Sequence, residues 1–89
     1  MQTDKVFVRL NRVRPGKKSA DVQTVQLALT SVAGLKSHEP GIFDRPTQDA
    51  YARWQRRIGR VGSDAIGTPD PGSLERLGRE TGLFVIRES

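Results

Sequence analysis

The 89-residue chain has no cysteine, one histidine, one methionine, and a single tryptophan and tyrosine. The lack of cysteine excludes a disulfide framework, a thiolate metal site and a cysteine nucleophile, and it leaves the redox compartment open. A metal centre takes three or four ligands from His, Cys, Asp and Glu. Here His38-Glu39 stands in a loop segment with no spaced partner, so it reads as a solvated loop histidine. No apolar run approaches the ~20 residues that span a bilayer, and the amino terminus lacks the apolar core of a signal peptide. A glycosidase needs two carboxyl groups across a cleft. Asp44, Asp49, Asp64 and Asp70 could supply a pair, but Asp44 and Asp70 have sufficient work as helix caps. The chain therefore reads as non-enzymatic, with no cofactor and no metal.

What is present is one small domain, residues 1–89. A chain this short buries ~60–65% of the surface it exposes when unfolded, and the usual per-residue stability scales to roughly 4–13 kcal/mol. Only 35% of residues are hydrophobic, yet they recur periodically, which favours a folded domain over a disordered tail. The net charge of +5 is uneven: residues 1–18 carry +5, residues 19–50 carry −2, residues 51–60 carry +4 and residues 61–89 carry −2. Such a surface attracts polyanions, whether nucleic acid, acidic lipid or anionic wall polymer.

The periodicity predicts three helices and two short terminal strands. Val6, Val8 and Leu10 alternate in a strand over about 5–10, which the Pro15-Gly16 turn follows. Ser19 caps a helix running to about Val32, with Val22, Val25, Leu29 and Val32 as its buried stripe, Gln26 beside them and Gly34 as the stop. The central stretch Pro40–Gly59 holds the second helix. Asp44 is its N-cap and Pro46 lies in its first turn, while Ala50, Tyr51, Trp54 and Ile58 form an apolar face opposite Arg53, Arg56, Arg57 and Arg60. An exposed tryptophan can stack on a sugar, but the spacing puts Trp54 in the core. Asp70-Pro71 repeats the cap-then-proline start for a third helix through Leu74 and Leu77 to about Gly82, and 83–87 reads as the second strand. The fold class is mainly α: a compact three-helix bundle closed by a small two-stranded sheet formed by the chain termini.

An internal echo accompanies this layout. Val22-x-x-Val25-Gln26 and Tyr51-x-x-Trp54-Gln55 share one pattern, and Leu74-x-x-Leu77 repeats its first part. A small basic helical domain also fits the profile of a nucleic-acid reader. The connections here are longer than the 3–4-residue turn of a helix-turn-helix, which lowers that reading.

Taken in order, Arg14-Pro-Gly, Asp21-Val-x-x-Val-Gln-x-Ala-Leu29, Pro40-Gly-Ile-Phe-Asp-x-x-Thr47, Ala50-Tyr-x-x-Trp-Gln55, Ile58-Gly, Ile66-Gly and Ser73-Leu-x-x-Leu77 resemble the peptidoglycan-binding domain of the three-helix type. That family is appended to bacterial wall hydrolases and phage endolysins, and the resemblance covers a core motif over 14–78. Asp44 stands where the family has Gly, Trp54 where it has Phe, Tyr51 where it has Val, and Ser73 where it has Thr. The second loop, Arg60 to Pro69, lacks the family's Asp-Gly pair.

The resemblance implies a non-catalytic module that anchors a covalently linked hydrolase or endolysin to the bacterial wall, outside the cell. Its ligand would be the glycan strand and stem peptide, and the module would act as a monomer. With no signal peptide in the chain, a phage-encoded or excised domain is the expectation. Stem-peptide carboxylates and amides suit arginine forks and the backbone N–H groups of a helix start. The expected contacts are Gly41, Asp44, Arg45, Gln48 and Gln55, with Arg53 and Arg56 as further candidates. Asp44 has a second reading as a cap only, and Gln55 one as a buried amide bonded to a loop backbone. Two alternatives stay open: a small basic nucleic-acid-binding domain, and a phage or cell-wall structural protein that uses the fold for protein contacts.

Overall fold

The computed structural model describes residues 6–87. In chain order they form β1 (Phe7–Arg9), a 3-10 turn (Leu10–Arg12), α1 (Ala20–Ala33), α2 (Arg45–Arg57), a second 3-10 turn (Gly62–Asp64), α3 (Pro71–Thr81) and β2 (Val85–Arg87). Three helices and a small two-stranded sheet are thus the observed architecture.

Each helix begins where local chemistry dictates. Ser19 Oγ accepts from Val22 N–H at 3.2 Å. Asp44 accepts from Thr47 N–H at 3.1 Å and from the Thr47 hydroxyl at 2.6 Å. Asp70 accepts from Ser73 N–H at 2.9 Å, and the Ser73 hydroxyl reaches back toward Asp70 N–H to complete a capping box. Prolines in the first turns of α2 and α3 sacrifice no helical bond, because those N–H groups lack partners anyway. Gly34 and Gly82 end α1 and α3.

The core lies between α1 and the two later helices. Val22, Val25, Ala28 and Leu29 meet Ala50, Tyr51 and Trp54 of α2 and Leu74 and Leu77 of α3, with Val8, Val13, Phe43 and Phe84 closing the ends. Val32 and Ile58, expected in the stripes, are only partly buried at the margin of this cluster. Trp54 is 1% exposed and donates its indole N–H to the Ser73 carbonyl at 3.0 Å. The Tyr51 hydroxyl sits 2.7 Å from Ser73 Oγ. Both aromatic polar tips are therefore satisfied inside the core, as burial demands. Burial also pushes the Tyr51 phenol well above its ordinary range, so it stays protonated.

The termini do pair, with shorter limits than the sequence suggests. Phe7, Val8 and Arg9 lie opposite Val85, Ile86 and Arg87, and the strands run parallel. The expected strand over 5–10 tightens into a 3-10 turn at Leu10, and its first residue, Lys5, falls outside the described residues. The expected strand over 83–87 starts two residues late, after Phe84 has turned inward to the core at 4% exposure. A pair this short is marginal alone. It persists because Val8, Phe84 and Ile86 pack on the helical core, while Phe7 and Val85 face outward.

Candidate functional site

The segment before α1 and the loop before α2 are stitched together. Gly16 N–H donates to the Phe43 carbonyl at 2.9 Å, Phe43 N–H to the Lys17 carbonyl at 2.8 Å, and Ser19 N–H to the Gly41 carbonyl at 2.9 Å. Inside this crossing sits Gln26, 1% exposed. Its Oε1 accepts from Gly41 N–H at 2.9 Å. Its Nε2 faces the Glu39 and Ile42 carbonyls and the Thr47 hydroxyl at 2.9–3.0 Å. Two N–H bonds are shared among three acceptors, so the amide is fully used. Asp44 closes the arrangement by accepting from Glu39 N–H at 2.8 Å. Burial pushes the Asp44 carboxyl up, but the bonds from the Thr47 hydroxyl and the Glu39 and Thr47 N–H groups outweigh it and hold the carboxyl below its ordinary range.

The loop after α2 repeats the device. Gln55, also 1% exposed, accepts from Gly67 N–H at 2.8 Å and donates to the Thr68 carbonyl at 3.0 Å. Gly67 has φ +89°, and a Cβ there would lie 2.3 Å from the Gln48 carbonyl oxygen. Only glycine lets the loop come this close to α2. Gln48 then donates from Nε2 to the Ile66 carbonyl at 3.1 Å, drawing the second loop back to the first turns of α2. Asp70 is gripped by Arg60 at 2.8 and 3.2 Å. Burial again acts upward on the Asp70 carboxyl, and the Arg60 and Ser73 bonds reverse it to a net lowering.

These contacts sort the sequence-predicted residues. Gly41, Asp44, Arg45 and Gln48 come together at the start of α2. Arg45 is exposed and pairs with Asp49 one turn on at 3.0 Å. Arg53 is directed elsewhere: Nε and Nη2 donate to the Ala33 carbonyl at 3.1 and 2.9 Å, and Arg57 donates to the Val32 carbonyl at 3.1 Å. Both arginines therefore cap the carboxyl end of α1, where cations suit the helix dipole. Gln55 is the buried loop clamp described above. Arg56 is exposed and lies ~16 Å along the α2 axis from Arg45. Arg45, Gln48, Ala52 and Arg56 recur at helical spacing, forming a shallow strip that is half-buried at Gln48 and Ala52.

One residue at this place was not singled out by sequence reasoning. Ile66 is 57% exposed, and its carbonyl is held by Gln48, so an apolar side chain stands beside the polar groups of the first turns. An isolated isoleucine between glycines in a polar loop was the available signal. His38 points its Nδ1 at the Lys36 carbonyl, 2.7 Å away, and so donates within its own loop. Among the described residues no three His, Asp or Glu groups lie close enough to hold a metal ion, and no helix is long and apolar enough to cross a membrane. The surface at the start of α2 offers hydrogen bonds, an arginine and an apolar contact, and the hydroxyl that meets a carboxylate there, Thr47 on Asp44, is fully buried. Compared with protein-family models, curated proteins and solved structures, the chain matches none.

Proposed function

We propose that the chain is a non-catalytic peptidoglycan-binding module, which keeps a covalently attached hydrolase or endolysin on the bacterial wall. The observation that supports this most is the convergence of two glutamine-clamped loops on the start of α2. Gly41, Asp44, Arg45 and Gln48 gather there, and Gln48 bonds the carbonyl of Ile66, whose exposed side chain adds an apolar contact. Such a surface suits an extended, amide-rich and carboxylate-rich ligand. Arg45 is the fork for a stem-peptide carboxylate, Gln48 offers an amide, and Ile66 packs against a sugar C–H face. Arg56 takes a second contact at the far end of the strip. Arg53 and Gln55 serve binding by holding the scaffold. Weak contact of this kind becomes effective when the linked enzyme makes the next encounter intramolecular.

Sedimentation with purified insoluble peptidoglycan across a salt series tests the proposal, with duplex DNA as the control polyanion. The protein should pellet with the sacculi at physiological salt and release no soluble fragments. Arg45→Ala should pellet several-fold less, with its thermal midpoint nearly unchanged because the side chain lies at the surface. Protein that stays in the supernatant but binds DNA with a steep salt dependence would sink the reading.

A further inference from the structure

We infer that the connection between β1 and α1, together with Arg87, is a second binding surface for a linear phosphodiester polymer without bases, of the polyol-phosphate kind. Residues 6–87 carry fourteen Lys or Arg and eight Asp or Glu. Six of the cations are Arg9, Arg12, Arg14, Lys17, Lys18 and Arg87, and outside these six the charges balance at eight each. The net positive charge of the described residues therefore equals these six cations, with the Asp21 carboxylate as an acidic neighbour beside Arg9.

The fold gathers these residues. Ser19 Oγ donates to the Arg12 carbonyl at 2.9 Å, and Asp21 accepts from the Arg9 backbone N–H at 3.1 Å, so residues 9–18 bend back around the first turn of α1. Arg87 lies directly opposite Arg9 in the sheet. All but half-buried Arg9 are exposed, and the three ion pairs of the described residues, Arg45–Asp49, Arg60–Asp70 and Arg79–Glu75, lie elsewhere.

Two of these placements work against the fold. Lys17 and Lys18 stand just before the N-cap of a 14-residue helix, where the dipole disfavours cations. Arg9 and Arg87 are like charges in register on neighbouring strands, a destabilising pair. Among the described residues no side-chain carboxylate forms an ion pair with any of the six, and an external polyanion would relieve both placements. A repeating phosphate chain fits a surface that presents cations from a bent loop. Residues 9–18 contain no aromatic side chain for stacking a base, and Arg87 already stands 5.5 Å over the Phe7 ring. The choice of a wall-type polymer over nucleic acid rests on the function proposed above, whereas the location of the surface does not.

The experiment measures binding of poly(glycerol phosphate) and of duplex DNA by fluorescence anisotropy across a salt series. Alongside it, the protein is sedimented with sacculi before and after chemical removal of their phosphodiester polymers. Wild type should bind poly(glycerol phosphate) more tightly than DNA at equal salt, and should sediment better with untreated than with stripped sacculi. Lys17→Gln/Lys18→Gln should bind the polymer about tenfold more weakly, with the log–log salt slope reduced by about 0.7 for each lost contact. Its thermal midpoint should be unchanged or raised, and Arg12→Gln/Arg14→Gln gives an independent second loss. All variants should sediment with stripped sacculi as wild type does. Equal polymer binding by wild type and both variants overturns the inference, as does DNA binding equal to or tighter than polymer binding. If stripped sacculi alone fail to retain the protein while the polymer still binds, the peptidoglycan reading falls and this surface stands.

Discussion

The turn between α1 and α2 and the turn between α2 and α3 are two versions of one device, and they differ in what their aspartate caps hold. In each, a buried glutamine accepts from a glycine N–H, with an aspartate N-cap three residues after that glycine and a buried hydroxyl three further on. Gln26, Gly41, Asp44 and Thr47 form one set, and Gln55, Gly67, Asp70 and Ser73 form the other. The two caps then diverge. Asp70 is spent on Arg60, an ion pair whose side chains are each about one-third exposed. Asp44 instead binds backbone and hydroxyl groups of its own turn, and the nearest arginine in sequence, Arg45, is left at the surface with an exposed partner. The second turn is locked by its own charge. The first has no ion pair at its cap, and its arginine pairs with Asp49 at the surface.

Removing the clamps tests this comparison most severely. Gln26→Ala leaves the Gly41 N–H without a partner, and it takes one bond from the Glu39 and Ile42 carbonyls and the Thr47 hydroxyl, which keep their bonds to Ile42 N–H, Asp44 N–H and the Asp44 carboxylate. A total cost of about 3–4 kcal/mol would remove a large share of the roughly 4–13 kcal/mol expected for a chain of this size. Gln55→Ala, with two short bonds to lose, should cost about 2–3 kcal/mol in urea titrations. A larger effect at Gln55 than at Gln26 would mean that the second loop, not the first, is the anchor.

The paired glycines give a smaller contrast. Both have positive φ, +83° at Gly41 and +89° at Gly67. A Cβ at Gly41 meets only the Ser19 carbonyl oxygen, at 3.5 Å, whereas at Gly67 it would strike the α2 backbone. Gly41→Ala should therefore lose only about 1–2 kcal/mol of backbone strain. Gly67→Ala should lose more and should also shift the amide signals of Gln48. Equal losses would contradict the close approach of the second loop to α2.

The smallest effect is in acid. Asp44 and Asp70 have folded pKa values below their ordinary one. Their contribution is therefore complete above the unfolded value of about 3.9, and it disappears as pH falls through the lower folded values. Thermal midpoints should drop below about pH 4. Asp70→Asn, which keeps a capping side chain but removes the partner of Arg60, should flatten that acid limb and lower stability at neutral pH. Asp44→Asn, which has no cation to lose, should flatten the limb with a smaller loss at neutral pH.

Much of this device is legible in the sequence, because its parts are local. Ser19, Asp44 and Asp70 announce the helix starts, and the Val22–Gln26 and Tyr51–Gln55 echo marks the repeat. Trp54 is in the core, where its spacing puts it. What could not be read is whatever depends on distant segments meeting. Gln26 is polar within a helix that is otherwise apolar on that face, and its role exists only once residues 39–42 fold over it. Arg53 and Arg57 look like part of a solvated stripe until α1 ends beside them and offers bare carbonyls. The crossing of residues 16–19 with 41–43 has no signature, since isolated backbone bonds make few demands on side chains. Strand limits failed for a related reason: Val6, Leu10 and Leu83 have strand-like chemistry, but the ladder extends only where the helices cover it.

The parallel sheet also determines how the molecule answers to force. β1 follows the amino-terminal end of the chain and β2 precedes the carboxyl-terminal end, and they run in the same direction. A pull on the two ends drags the strands past each other, so the bonds between them are loaded together in shear, not opened one by one. Phe84 and Val8, buried at 4% and 0%, would have to leave the core in the same event. A chain held at one end and towed at the other would thus yield abruptly, at a high force for its size. Single-molecule stretching can compare that geometry with a pull applied across the sheet.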